Sequence, residues 1–344
     1  MSSNTYSNPR LYIGDREITS FSSINFRDSG KNQACILNVT VQDPHLNNAA
    51  LEGKEIKFFL NHGSIDTVPF FRGRIRQFTP TNTSVSITAY DVRTLLTGKS
   101  SIPISLTDED NYDGYTLSQF LYSYITDNIN IDDTVIGLDL LNESDPVVTL
   151  TGVRQENTSA LKIVDTALKQ KDDDLTDIRN TRLTVVDDGL KSNICFVTEQ
   201  DKDNASVRFS YSNGIKNVSI KKRARPNVLS TSVEGTNVVY KHNNMKTGVS
   251  GKTIKGDFEY PDQAREAAYI EATKLENAYE ITLNVTKGHY LNIGNLVYVS
   301  LPEHPDVTGK HRIVAKSVAV GKDITCSLSL SKETPKSSDF ILSN

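Results

Sequence analysis

The chain has 344 residues and a formal net charge of −4; 37% of the residues are apolar, 23% are charged and none is tryptophan. This length allows two or three hydrophobic cores, and the composition is that of a globular chain rather than a disordered one. No apolar run approaches the roughly 18 residues that a membrane-spanning helix needs, and the N-terminus lacks the basic start and apolar segment of a secretion signal. We therefore expect synthesis in a cytoplasm and no membrane insertion.

Residues 1–98 are predicted to form a first β domain. One segment, QACILNVTVQDP, alternates polar residues with apolar residues on a single face, which is the pattern of a half-buried strand. The apolar residues are Cys35, Leu37, Val39 and Val41. Several more short strands follow at turn-like spacing, and short antiparallel strands in this number favour a small barrel or sandwich.

Residues 99–225 are predicted to form an acidic α+β insert domain. Two segments have helical spacing of their apolar residues, and these are Leu117, Phe120, Leu121, Tyr124 and Ile125 in the first and Leu161, Val164 and Leu168 in the second. Thr158 or Ser159 is the candidate N-cap of the second helix, and a hairpin is predicted at Asp188-Gly189. Residues 101–190 hold 18 Asp and Glu against 6 Lys and Arg, whereas the rest holds 24 and 32. This asymmetry indicates a separate domain, although a solvated surface explains any single charge equally well.

Residues 226–335 are predicted to form a second β domain that contains one helix, and residues 336–344 form a polar tail. A hairpin is predicted around Gly235. The helix begins at Pro261 and has one apolar side, formed by Ala264, Ala268, Ala272, Leu275 and Tyr279.

The chain carries one pattern twice, in residues 51–91 and 291–331. Each stretch has a glycine, Gly53 or Gly294, before a short alternating run, then a polar loop with proline, a longer strand and a final alternating run. We predict that these stretches are two copies of one β module.

Motifs for catalysis or metal binding are incomplete. Gly251-Lys252-Thr253 resembles the end of a phosphate-binding loop, but Lys246 stands where that motif needs glycine and no helix start follows. A calcium loop counted from Gly114 has Phe120 at the position that requires glutamate.

The histidines and cysteines do not form a recognisable ligand set either. The histidines His45, His62, His242, His289, His304 and His311 lack metal-binding spacing, and we interpret them as solvated loop residues. Cys35, Cys195 and Cys326 are interpreted as small buried apolar residues. The basic run SIKKRARPN is short and lacks aromatic residues, so it is predicted to be a linker or a strand edge kept soluble by its charges. We expect no catalytic residue, no cofactor-binding residue, no bound metal and no enzymatic activity.

Several segments resemble the central baseplate hub proteins of long-tailed phages and contractile injection systems. FFRGRIRQF with VSITAYDVRTLLTG resembles the closing strands of the first hub barrel, and NTSALKIVDTALKQ resembles the helix of the middle domain. NGIKNVSIKKRARPNVLSTSVEG is similar to the passage into the second barrel. PDQAREAAYIEATKLENAYEITLNVTKGHYLNIGNLVYVSLP is similar to its helix, strand and glycine turn, with Gly294-Asn295 where the family often has Gly-Asp.

The resemblance implies a mainly β chain, α+β overall, with two tail-tube-like antiparallel β-barrel domains flanking an α+β insert domain. In this family a homotrimer forms a pseudo-sixfold ring that joins the sixfold tail tube to the threefold central spike. The implied partners are the tail tube or a tube-initiator protein, the spike protein and other baseplate proteins, with DNA only as passing cargo. The implied location is the tail baseplate of the virion.

Two other classes of function remain open at this point. A tail-tip adhesion or carbohydrate-binding β protein needs exposed aromatic side chains around a groove, and the dense aromatic group comprises Tyr112, Tyr115, Tyr122 and Tyr124. A cell-wall hydrolase needs a nucleophile or a metal constellation, and the motifs above provide neither.

Overall fold

The computed structural model describes residues 9–30, 32–43, 46, 50–60, 68–97, 103–106, 112–128, 136–138, 148–151, 153, 155–174, 181–198, 205, 207–222, 228–233, 236–241, 252–254, 279–321 and 323–331. Strands dominate these residues and most pairs are antiparallel, so the predicted mainly β class is confirmed. The helix expected from Pro261 and the polar tail of residues 336–344 lie outside the described residues, except that Tyr279, predicted as the last residue on the apolar side of that helix, instead begins strand β18. The domain boundaries stay a prediction.

The N-terminal part forms seven strands. They are β1 (Arg10–Ile13), β2 (Arg16–Ile18), β3 (Phe21–Asp28), β4 (Ile36–Val41), β5 (Glu55–Phe59), β6 (Phe71–Pro80) and β7 (Val85–Tyr90). In β4, Leu37, Val39 and Val41 are buried and the residues between them are more exposed, as their alternation predicts.

The middle part combines helices with short strands. Its elements are a 3₁₀ helix (Val92–Leu96), β8 (Ile104–Leu106), α1 (Leu117–Asn128), β9 (Ile136–Leu138), β10 (Gln155–Thr158), α2 (Ala160–Asp174), β11 (Thr181–Asp187) and β12 (Ser192–Thr198). Both predicted helices and the predicted hairpin are confirmed, and the Oγ of Ser159 accepts a bond from the Lys162 amide at 3.2 Å as the N-cap of α2. None of the described helices is long and apolar enough to cross a bilayer.

The C-terminal part returns to strands. They are β13 (Val207–Phe209), β14 (Ile215–Lys222), β15 (Val228–Val233), β16 (Thr236–Lys241), β17 (Lys252–Ile254), β18 (Tyr279–Val285), β19 (Leu296–Val299), β20 (Gly309–Val320) and β21 (Ile324–Ser331). The strands β15 and β16 form the hairpin expected around Gly235, and β17 pairs with β15.

Strands from both ends of the chain form one 13-stranded sheet. Its order is β14-β18-β21-β20-β3-β4-β7-β6-β5-β1-β2, with β19 on β20 and β13 on β19. One apolar cluster lies under this whole sheet, whereas the helices and the β11–β12 hairpin of the middle part pack around a second cluster. The strands predicted as two barrels therefore lie side by side over a shared core.

Candidate assembly interface

The two copies of the predicted module share one turn geometry. Gly53 and Gly294 have φ values of 77° and 89°, a left-handed conformation that glycine adopts without strain. The amide of each donates a 2.8 Å bond to the carbonyl of an isoleucine in the next long strand, Ile75 or Ile313. The turn is therefore closed by the same bond in both copies.

An arginine fixes that turn in each copy. Arg74 donates from Nη1 to the carbonyl of Gly53 at 3.0 Å, and Arg312 donates from Nη1 to the carbonyl of Gly294 at 2.8 Å. Each long strand then has a bulge directly after its isoleucine. The repeat predicted from the sequence rhythm is thus confirmed in its hydrogen bonds.

The repeat extends to five strands on each side. We call β3–β7 the first unit and β14 with β18–β21 the second unit. The first unit has the order β3-β4-β7-β6-β5 and the second has β14-β18-β21-β20-β19, so each strand has a counterpart in the same position.

The two units meet where β20 of the second pairs with β3 of the first. In this junction Ser317 lies opposite Arg27 and Val318 lies opposite Phe26. Gly30, just beyond β3, approaches the backbone of Val314 so closely that an added Cβ would lie 1.6 Å from its carbonyl oxygen. The junction is therefore packed backbone against backbone.

The counterparts of the two joined edges have no such neighbour among the described strands. Phe78, Thr79 and Pro80 of β6 correspond to Lys316, Ser317 and Val318, which pair with β3 in β20, yet among the described strands they pair with β7 alone. Strand β14 corresponds to β3 and pairs with β18 alone. The basic run predicted as a strand edge begins in β14, at Lys221 and Lys222, so that prediction is confirmed for this part of it.

Apolar side chains on these unpaired edges are only half-buried. Phe78 on β6 and Val218 and Ile220 on β14 pack partly against the core. On β3, the counterparts of Val218 and Ile220 are Ile24 and Phe26, which are 2% and 6% exposed because β20 covers them. A strand added at each edge would bury the same positions.

The face of the sheet opposite the core is polar, and the charged residues on it include Arg27, Lys221 and Glu280. Hydroxyl and amide side chains lie directly opposite one another from strand to strand. They are Asn25, Asn38, Thr40, Ser86, Thr88, Ser219, Thr282, Asn284, Ser317, Thr325, Ser327 and Ser329.

The middle part is fixed to the first unit by Arg72 on β6. This guanidinium, 5% exposed as a residue, bonds Asp187 of the β11–β12 hairpin from Nε at 2.6 Å and Glu55 from Nη1 at 3.0 Å. It also donates to the carbonyl of Gly189 at 2.8 Å. Burial disfavours the charged guanidinium, but the bonds to Asp187 and Glu55 outweigh it and raise the pKa of Arg72.

The middle part is hydrogen-bonded to both units. Asn32 is fully buried and bonds Asp165 of α2 at 3.0 Å, while its Oδ1 accepts from the Leu183 amide at 2.9 Å. On the other side of this contact, Arg182 donates to the carbonyl of Ile293 in the second unit at 2.7 Å. The three parts of the chain are therefore hydrogen-bonded to one another.

The candidate motifs are placed as follows. Lys252 and Thr253 lie in the short strand β17, whereas Gly251 and residues 109–111 of the candidate calcium loop lie outside the described residues. Cys35, Cys195 and Cys326 are buried, as predicted, and none of the three is in a disulfide; burial raises the pKa of Cys326 to about 11.

The interpretation of the histidines as solvated loop residues is wrong for His311. This residue lies in β20, is 1% exposed and contacts the carbonyl of Val307 through Nε2 at 2.6 Å. In β20 the consecutive residues His311, Arg312 and Ile313 are all buried, so the strand does not alternate between buried and exposed positions here. The sequence pattern therefore did not reveal that the imidazole is buried.

The tyrosine group does not line one groove. Tyr124 is buried in the face of α1, and Tyr112 packs edge-on against Phe120 with centroids 5.2 Å apart. Tyr115 and Tyr122 are the exposed members, at 37% and 48%. Core packing accounts for half of the group.

Sequence reasoning missed the buried cations, namely Arg72, Arg93, Arg182, Arg312 and Lys316. The sequence did contain an indication for Arg312, because the dipeptide Arg-Ile occurs at the same place in both copies of the module, as Arg74-Ile75 and Arg312-Ile313. Arg93 is paired with Asp91 within the chain at 2.6 Å, which no spacing rule identifies.

The fold is that of phage tail proteins. This chain is similar to a tail protein from Neisseria meningitidis MC58, with a TM-score of 0.61 and 13% identity. The match covers 97% of this chain and 99% of that protein. The 43 kDa tail protein of prophage MuSo2 from Shewanella oneidensis covers the same shares at 13% identity and a TM-score of 0.63.

A secretion protein has the same fold. The c3393 protein of the E. coli type VI secretion system, described as structurally similar to the phage T4 tail proteins gp27 and gp5, has a TM-score of 0.54 at 12% identity over 95% of this chain and 78% of its own. No protein-family model matches the sequence, and no curated protein sequence does either.

Proposed function

We propose that this chain is the structural hub of a phage tail baseplate and that three copies form a pseudo-sixfold ring. The ring joins the sixfold tail tube, or a tube-initiator protein, to a threefold central spike and contacts other baseplate proteins in the virion. The observation that supports this most is the junction of the two units within one chain. Within the chain, β20 of the second unit pairs with β3 of the first unit. Their counterparts, β6 in the first unit and β14 in the second, have no such partner among the described strands and are available to a neighbouring copy.

The contact between copies follows from repeating the in-chain register. The pairs Ser317–Arg27 and Val318–Phe26 correspond to Thr79–Lys221 and Pro80–Ile220 at the unpaired edges. Such a contact is heterologous, since one copy presents β6 and the next presents β14, and it closes a ring when the rotation per copy divides a full turn. Six units around the axis result from three copies.

Burial supports closure at these edges. Pairing would cover Phe78, Val218 and Ile220, which are half-buried in the isolated chain. An apolar residue that is fully removed from water contributes about 1.5–3 kcal/mol, so half-buried residues leave part of that available to association.

Pro80 makes the contact between copies weaker than the junction within a chain. The Thr81 amide donates to Ser84 across the β6–β7 turn, so the backbone nitrogen of Pro80 points away from β7 and toward the open edge. Proline has no N–H there, whereas its counterpart Val318 has one. The same proline keeps the edge from pairing with unrelated strands.

The polar face of the sheet lines the channel of the proposed ring. Tight binding of DNA depends on neutralising phosphates with lysine and arginine. Serine, threonine and asparagine dominate this face, and Glu280 lies opposite one of its cations, Lys221. We therefore expect DNA to move through as cargo without being held. We assign the chain no catalytic activity, no cofactor and no metal, and the insert is directed outward to baseplate partners.

The test is a cysteine pair across the proposed contact. In the variant T79C/K221C the two thiols belong to a closely spaced pair that does not exchange backbone bonds, which is suitable geometry for a disulfide. Oxidation of the purified chain is expected to give a covalent trimer. The matched control T79C/N284C, with the second thiol on an interior strand, is expected to stay uncross-linked.

Native mass and two-dimensional class averages of the same sample provide a second readout. We expect trimers with six lobes around an opening, and I220D is expected to abolish them while N284D does not. A stable dimer without an opening, or equal cross-linking in both double variants, would overturn the ring.

A further inference from the structure

A cavity lies where the first unit, the middle part and the second unit meet. Its volume is about 580 Å³. The first unit contributes Phe26 and Asp28, the middle part contributes Arg182 and Val186, and Lys316 of β20 belongs to the second unit.

Lys316 is the central feature of this cavity. It is 7% exposed, and its Nζ donates to the carbonyl of Leu291 at 2.8 Å and to that of His289 at 3.3 Å. An ammonium group has three donors, so these two bonds leave one N–H for a further acceptor. Among the described residues no carboxylate lies within 4.0 Å of it.

The cationic side chains that line the cavity outnumber its carboxylates. Two carboxylates of the cavity wall are already engaged, Asp91 by Arg93 and Asp187 by Arg72. In all, the wall carries Arg72, Arg93, Arg182 and Lys316 against Asp28, Asp91 and Asp187. Burial lowers the pKa of Lys316; the negative charge of Asp28 partly offsets this, and the positive charge of Arg182 adds a smaller lowering. A buried ammonium group without a carboxylate at ion-pair distance is costly, and a bound anion relieves that cost.

The mouth of the cavity is apolar. Of the seven large apolar side chains that are exposed in the described residues, three line this one cavity: Val68, Val186 and Tyr290, at 46%, 52% and 57%. Phe70 also lines it, and its ring centroid lies 5.3 Å from the Lys316 ammonium. Clustered apolar exposure of this kind marks binding sites more often than scattered exposure does.

We propose that this cavity binds an organic carboxylate that carries an apolar group. The carboxylate accepts from the remaining N–H of Lys316, and the apolar group packs against Phe70, Val186 and Tyr290. The site lies within one chain, so it does not depend on the ring.

The test is calorimetric titration of the full chain with phenylacetate, 4-methylpentanoate and octanoate, each compared with its neutral amide. We expect saturable binding of at least one acid and at least tenfold weaker binding of its amide. K316M is expected to weaken the acid at least tenfold, whereas K310M, which changes an exposed lysine on the same strand, is expected to leave it unchanged.

V186D provides a second variant that does not depend on the fold tolerating a change at Lys316. Its exposed carboxylate at the mouth is expected to repel the acid and to weaken binding severalfold. Inorganic phosphate distinguishes a general anion site from the one proposed, because it lacks the apolar group and is expected to bind more weakly than the best acid. Absence of saturable binding by all three acids, equal binding of acid and amide, or phosphate binding as tightly as the acids would overturn the proposal.

Discussion

The first and second units share a backbone plan but differ at their edges. The turn glycine, the arginine that caps it and the bulge after the isoleucine are the same in both. The edge of β20 is covered by β3, whereas the corresponding edge of β6 is uncovered among the described strands and ends in Pro80. The two units therefore retain a common internal geometry and diverge where each meets a neighbour.

The first residues of β6 and β20 also differ in whether a neighbouring part of the molecule covers them. Arg72 on β6 is buried under the hairpin of the middle part, and its counterpart on β20, Lys310, is exposed. Changes at such paired positions test which features belong to the shared plan and which belong to one unit.

The largest effect is expected from G30A, which attacks the junction between the units. The added Cβ would lie 1.6 Å from the carbonyl oxygen of Val314, and the residue has a φ of 71°. We expect a loss of more than about 4 kcal/mol in the free energy of unfolding, measured by urea titration with circular dichroism.

G14A provides the control for backbone strain alone. Gly14 also has a positive φ, of 58°, but no atom lies within 4 Å of the position that an added Cβ would take. The expected loss is about 1–2 kcal/mol. Equal losses in the two variants would show that the junction contributes nothing specific.

A smaller effect is expected from R72M, which removes the link between the first unit and the insert. Asp187 would lose its buried partner, and breaking such a pair costs about 3 kcal/mol. The corresponding change in the second unit, K310M, is expected to stay within about 0.5 kcal/mol because Lys310 is exposed. Hydrogen exchange of the β11–β12 hairpin measures the link directly, and unchanged protection in R72M would contradict it.

The smallest effect is expected from P80V, which gives β6 the residue found at the same position of β20. The variant restores an N–H at the edge, so we expect the contact between copies to strengthen by about 1 kcal/mol, measured by sedimentation equilibrium. S86V raises the strand propensity of the same hairpin away from the edge and is expected to leave association unchanged. Weaker association of P80V would indicate that β6 does not meet β14.

Strand alternation and glycine turns made most of the fold predictable. The apolar residues of β4 and of α1 occupy the buried positions that their spacing predicts. The repeat was also visible, because its turn requires glycine at the same place twice and its strands follow in the same order.

The interface could not be predicted to the same extent. Pairing of β20 with β3 joins residues far apart in the chain, and local periodicity contains no information about which edges meet. Buried charges such as Lys316 and Arg72 break the rule that strands hide apolar residues, and their partners come from other parts of the molecule. The sequence revealed the repeated unit, and the structure was needed to find how the units join.

The pairing of β3 with β20 also affects how the chain folds during synthesis. Strand β3 ends at Asp28 and leaves the ribosome well before β20, the strand that covers its edge, which begins at Gly309. Contacts between such distant segments form slowly because a long loop must close first. Until β20 emerges, the nascent chain presents an unpaired apolar strand edge, which is a template for aggregation. Truncated chains that stop before β20 should therefore be insoluble, and slow expression with chaperones should raise the yield of the full chain.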